Sequence, residues 1–270
     1  MHQSSNFAAA FDGIRAKLLS SVSSLLRRSA RPRNSSGILN LDLEDALSKP
    51  GCPVCWLLRR SDLRYLDSLL YEFVNDVGVR EEIRQSLGFC NHHAWIMYRI
   101  ASDRSVEAMS WASAPLGIAI IYLDLTETLM ERLEPARKNG PKPRTVTYKL
   151  DRKSCPICTW RDGSERHYLE AVLKNIGEPV FAAQYSASDG LCAIHLLTSL
   201  SFDISNENKT MLVRIEIEKL KGLAYELREF IRKQDYLHNQ EGFGKEADSW
   251  LRALAKVSGN QFAGPKLGVR

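Results

Sequence analysis

Apolar side chains along this chain recur mostly at steps of three and four residues, the spacing that lines one face of an α-helix. Phe7, Phe11, Ile14, Leu18, Val22 and Leu25 form the first such row, which predicts an amphipathic helix within residues 1–36. Leu57, Leu63, Leu66, Leu69, Leu70, Phe73 and Val74 form a second, ending at an expected turn over Asp76-Val77-Gly78. A helix opening at Cys90 runs through Trp95 to Ile100. Val106 to Leu133 reads as a central core helix bent near Pro115, since proline cannot continue the helical hydrogen-bond ladder. Tyr168 to Ile176 is helical and is followed by an irregular stretch at Gly177-Glu178-Pro179. Further helices are predicted from about Glu207 to Tyr236 and from Glu246 to Val257. Glu216, Glu218, Lys219, Lys221, Glu226, Arg228, Glu229, Arg232 and Lys233 read as the solvated face of the longer one. The expected fold class is all-α.

Six cysteines interrupt this pattern, and each belongs to a motif. Cys52-Pro53-Val54-Cys55 is followed by Gly88-Phe89-Cys90-Asn91-His92-His93, and Cys155-Pro156-Ile157-Cys158 by Gly190-Leu191-Cys192-Ala193-Ile194-His195. Cys155 and Cys158 lie 103 positions beyond Cys52 and Cys55, while Cys192 and His195 lie 102 beyond Cys90 and His93. Tyr65-Leu66-Asp67 matches Tyr168-Leu169-Glu170 at the first offset. This is an internal duplication, and it selects His93 over His92 as the counterpart of His195. His92 is left to solvent or packing.

The spacing points to metal chelation. Two thiolates separated by two residues can face one ion at about 2.3 Å, and a second couple from a distant segment closes a tetrahedron. Each copy is therefore expected to supply one quartet: Cys52, Cys55, Cys90 and His93 in the first, and Cys155, Cys158, Cys192 and His195 in the second. Three thiolates and an imidazole suit structural zinc, giving two Zn2+ sites, and an iron–sulfur cluster is the alternative. Both couples fall at helix starts, where the backbone dipole favours thiolate. Complete quartets leave no open coordination position, and the deaminase pattern of a histidine followed two residues later by glutamate is missing, so a non-catalytic role is expected.

The resulting picture is of two pseudo-symmetric helical repeats, 37–137 and 138–258, each built around a Cys3His metal site. A basic N-terminal helix and linker (1–36) precede them and a tail (259–270) follows. The tandem CPxC and (F/L)CxxH segments resemble those of a group of uncharacterised bacterial helical proteins, a likeness covering about residues 40 to 257. It implies metal binding and helical architecture, and adds nothing about substrate. A helical interaction or assembly protein is the expected function. Electron transfer or redox sensing through a cluster is one alternative, and a nucleic-acid or membrane-surface adaptor the other. The row Phe7 to Leu25 would dock on a protein partner or the chain's own core, lie on an anionic membrane surface, or belong to a targeting extension. The net charge of +5 is too small and scattered to argue for nucleic acid by itself. The longest apolar run, Met109 to Leu123, is too short to span a bilayer. Paired cysteine motifs without a secretory signal lead to an expected cytoplasmic location, with peripheral membrane contact as the variant.

Overall fold

A computed structural model describes residues 36–103, 106, 108–139 and 155–260. Among these residues the chain forms ten α-helices and no strand. They are α1 (Ser36–Leu47), α2 (Pro53–Ser68), α3 (Val77–Gln85), α4 (Asn91–Ser102), α5 (Ala114–Asn139), α6 (Pro156–Asn175), α7 (Pro179–Ala187), α8 (Ala193–Leu200), α9 (Asn206–Lys233) and α10 (Ser249–Ser258). A π-helical turn, Leu69–Phe73, follows α2, and two short 3-10 turns lead into α10. The expected N-terminal helix, with Phe7, Phe11, Ile14, Leu18, Val22 and Leu25, lies outside the described residues.

Three local expectations are corrected and a fourth is narrowed. Pro115 does not bend a long helix; it sits in the first turn of α5, where its missing N–H leaves no bond unmade. Asp76-Val77-Gly78 starts a helix rather than a turn, because the Asp76 carboxylate caps α3 by accepting from Val79 N at 2.9 Å. The irregular stretch expected here is confined to Gly177 and Glu178, because Pro179 takes the first position of α7. Glu216 is buried rather than solvated.

The described residues pack as two compact units, one drawn from 61–161 and the other from 34–60 with 162–270. This division differs from the boundaries of the two sequence copies. The first turns of α2 and the later turns of α6 fall in the second unit; the later turns of α2 and the first turns of α6 fall in the first. In the first unit, Leu66, Leu69 and Leu70 pack among Val79, Ile83, Ile96, Met97, Ile100, Ile121 and Leu125 as buried residues. Arg80 and Arg84 tie α3 to α5 through Asp124, at 3.1 and 2.9 Å. In the second unit, Leu43, Ala46, Val54, Leu57 and Leu58 share a core with Leu169, Leu173, Ile176, Tyr185 and Leu212.

Candidate metal centre

Each cysteine motif lies at the start of a helix, and the same carbonyl bond opens all four. Trp56 N donates to Cys52 O, Ala94 N to Cys90 O, Thr159 N to Cys155 O and Leu196 N to Cys192 O, at 2.8–3.1 Å. Pro53 and Pro156 each occupy the first helical position after a cysteine, where a proline lacking its N–H is tolerated. Before Cys90 and Cys192 the chain must reverse direction, and Gly88 (φ +93) and Gly190 (φ +71) do so in a conformation that disfavours a Cβ. Phe89 and Leu191 then point into the cores. The GxCxxH pattern is thus a left-handed hinge, a core anchor, and two donors one helical turn apart.

The donors assemble in two groups, and neither is the quartet expected from sequence order. Cys52 and Cys55 meet Cys192 and His195, while Cys155 and Cys158 meet Cys90 and His93. In each group the four donor atoms lie within 4.8 Å of one another. All eight predicted residues fall in these two groups, but each CPxC couple joins the CxxH couple of the other copy. The reason lies in the units. The start of α2 belongs with α8, and the start of α6 with α4, so each group stays inside one unit.

His195 Nδ1 lies 3.3 Å from Cys52 Sγ, 3.5 Å from Cys55 Sγ and 3.2 Å from Cys192 Sγ, and the Cys55 and Cys192 sulfurs are 3.9 Å apart. His93 Nδ1 lies 3.2 Å from Cys90 Sγ and 3.5 Å from both Cys155 Sγ and Cys158 Sγ, with Cys90 Sγ and Cys158 Sγ 3.6 Å apart. Donors bound tetrahedrally to one ion, at about 2.3 Å for sulfur and about 2.0 Å for nitrogen, are separated by roughly 3.5–3.8 Å along the tetrahedron's edges. The observed spacings match a four-coordinate ion. All six thiols are free, and the separations of 3.9 Å between Cys55 Sγ and Cys192 Sγ and 3.6 Å between Cys90 Sγ and Cys158 Sγ far exceed the roughly 2.05 Å of a disulfide.

Burial and neighbouring donors divide the protons unevenly within each group. Burial opposes charge on His93, but Asp62 and Cys155 outweigh it and push the ring up to about 9. Burial likewise opposes charge on His195, and Cys192 and Cys55 push it up to about 10. Cys155 is held down to about 6: burial raises it, while His93 and the backbone N–H groups of Cys90 and Cys158 lower it further. Cys192 is lowered by Cys52 and Cys55, whereas Cys52 is raised by burial and by Cys192 and Cys55, and Cys158 by burial and Cys155. Cys155 and Cys192 are thus drawn toward thiolate, and His93 and His195 toward their protonated forms. A bound cation would displace the remaining protons.

The second unit braces its group with a polar network. Tyr185 OH donates to Glu216 Oε1, Leu191 N reaches that oxygen at 2.9 Å, and Lys256 Nζ pairs with Glu216 Oε2 at 2.5 Å. Asn260 Oδ1 accepts from Cys52 N at 3.0 Å, and Gly51 N donates to Asp189 Oδ2 at 2.6 Å. A Cβ on Gly259 would come within 3.4 Å of Cys55 Sγ. Residues 259 and 260, expected to begin a tail, therefore cover the group.

Two neighbours were missed in the sequence. Asp62 Oδ2 lies 3.5 Å from His93 Nε2, and Glu165 Oε1 lies 3.5 Å from His195 Nε2. They stand 103 positions apart, the CPxC offset, and that offset was the available signal. His92, half-buried, packs edge-on against His93 with ring centroids 4.9 Å apart.

A curated relative, described as "Uncharacterized 23.9 kDa protein in xynA 3'region" of Caldicellulosiruptor sp. (strain Rt8B.4), is 26% identical over 216 residues, covering 78% of this chain and 96% of the relative. No solved structure matches the chain. The model of a family of unknown function, DUF6062, matches residues 35–263, a span that holds all eight donors and both carboxylates, and the chain belongs to that family.

Proposed function

We propose that this protein is a structural metal-binding protein with two Cys3His zinc sites, whose ions fix helix starts in an interaction or assembly module rather than perform catalysis. The observation that carries the reading is the pair of four-donor groups with edge lengths suited to one tetrahedral ion. Such spacing favours a single ion over an iron–sulfur cluster, whose several irons stand between the ligands and hold them further apart. Cys52, Cys155 and Cys192 are almost wholly buried, as are His93 and His195. That supports a closed structural site over an open catalytic one. The equivalence of the motifs at fixed offsets supports pseudo-symmetric repeats that contribute reciprocally to the two sites.

The interaction part of the reading draws on exposed apolar rows. Leu116, Leu123 and Met130 stand at seven-residue steps on α5, and Trp250, Leu254 and Val257 lie along α10. No helix among the described residues is long and apolar enough to cross a membrane. A cytoplasmic location and a partner for residues 1–36 remain part of the proposal. Elemental analysis of the chain purified without oxygen tests it. Two zinc ions per chain and a colourless solution are expected. Iron with sulfide would replace zinc by the cluster reading, and metal-free protein that folds normally would overturn both.

A further inference from the structure

Beyond the eight donors, both groups share a feature that no motif spelled out. Each ligand histidine presents Nδ1 to the sulfurs, so its Nε2–H points outward, and in each case the facing group is a carboxylate at 3.5 Å. Asp62 follows Cys55 by seven residues, and Glu165 follows Cys158 by seven. Neither carboxylate serves the cysteines at the start of its own helix. Asp62 lies in the unit of His93, and Glu165 in the unit of His195.

The environment of Asp62 gives this position weight. It is fully buried, an expensive place for a carboxylate unless it is paired. Arg161 Nη1 donates to Oδ2 at 2.5 Å, yet Oδ1 has no hydrogen-bond partner, and His93 Nε2, also buried, has none. Two orphaned buried atoms on adjacent residues beside a donor group are unlike ordinary core packing, where such atoms are paired. An imidazole fixed through one nitrogen by an ion and through the other by a carboxylate is held in one tautomer and orientation, and its ligand nitrogen is made more basic.

Resting on the reading of the two groups as metal sites, we infer that Asp62 and Glu165 are positioning residues that hold His93 and His195 with Nδ1 toward the ion, so that each of α2 and α6 supplies thiolates to one site and the orienting carboxylate to the other. Glu165, about a quarter exposed, has the milder setting. Its effect should be the smaller.

The test is chelator competition on the zinc-loaded full chain, with cobalt substitution to report the ligand set. Asp62→Asn should weaken one of the two binding steps by about 10–100-fold while the stoichiometry and the three-sulfur cobalt spectrum stay unchanged. Glu165→Gln should weaken the other step by less, and this variant keeps the test decisive if Asp62→Asn does not fold. Leu66→Ala, equally buried on α2, should lower the melting temperature yet leave both affinities in place. Wild-type affinity in the carboxylate variants, or an equal loss in Leu66→Ala, would overturn the inference while leaving the metal sites standing. A wild-type chain that takes up no metal would overturn the reading beneath it.

Discussion

Gly88 and Gly190 hold equivalent places before Cys90 and Cys192, and their left-handed backbones turn a repeated letter into a physical requirement. A Cβ on Gly190 would fall 2.3 Å from Glu216 Oε1, inside the network bracing its loop. Gly190→Ala should therefore cost about 1–3 kcal/mol in chemical denaturation. Gly163→Ala, in the interior of α6 with nothing within 4 Å of the added carbon, should instead gain about 0.5–1 kcal/mol. Equal effects would remove the argument for a required hinge. At this scale the spacing singled out the eight residues that gather in the two groups, because metal chelation restricts residue type and spacing so tightly. It hid Asp62, which stands far from His93 along the chain and meets it only across the fold. Glu216 misled for a related reason: helical periodicity placed it among charged neighbours, but its partner Lys256 lies forty residues away.

Among the helices, α5 shows how far periodicity carries. Its composition suggested a core helix, yet only one face is covered: Ile121 and Leu125 are buried, whereas Leu116, Leu123 and Met130 are exposed. Ile121→Ala should cost about 2–4 kcal/mol through the cavity it leaves, and Leu123→Ser should stay within about 0.5 kcal/mol. A large loss from Leu123→Ser, measured by the same denaturation, would mean that this face is covered in the full chain. Helix existence was legible because apolar spacing records it; Pro115 and Pro179 were misread because proline breaks a helix interior and opens a helix start with the same letter.

The approach to α10 carries a pH dependence. Glu246 accepts from Gly244 N at 2.8 Å and from Lys233 Nζ at 2.6 Å, and these partners, the backbone N–H first, hold its carboxyl down at about 2. A folded-state value below the ordinary 4.5 gives stabilisation that is present above 4.5 and lost as pH falls toward 2. Glu246→Gln should therefore melt below wild type at neutral pH, with the gap narrowing as the solution is acidified through that window. A gap independent of pH would locate the contribution in packing rather than charge.

For the whole molecule, the decisive feature is which couple meets which. Two copies of the same donor motifs would satisfy the valence of two ions equally well whether the couples paired within a copy or between copies, so no spacing rule could choose. The fold chooses, because the beginning of α2 packs in one unit with α8 and the beginning of α6 in the other with α4. Paired substitutions distinguish the arrangements by counting ions. Cys52→Ser with Cys192→Ser removes two donors from one group and should leave one ion per chain, whereas Cys52→Ser with Cys90→Ser injures both groups and should leave neither tightly bound. Pairing within each copy predicts the reverse. Because a structural zinc site contributes on the order of 10 kcal/mol of apparent folding free energy, the second variant should also lose most of its cooperative melting transition, as wild type should after exhaustive chelation. Elemental analysis and thermal melts of both variants, purified alongside wild type, read the two outcomes together: one ion, with the transition of the unit that keeps it, in the first variant, and loss of both ions and of the cooperative transition in the second.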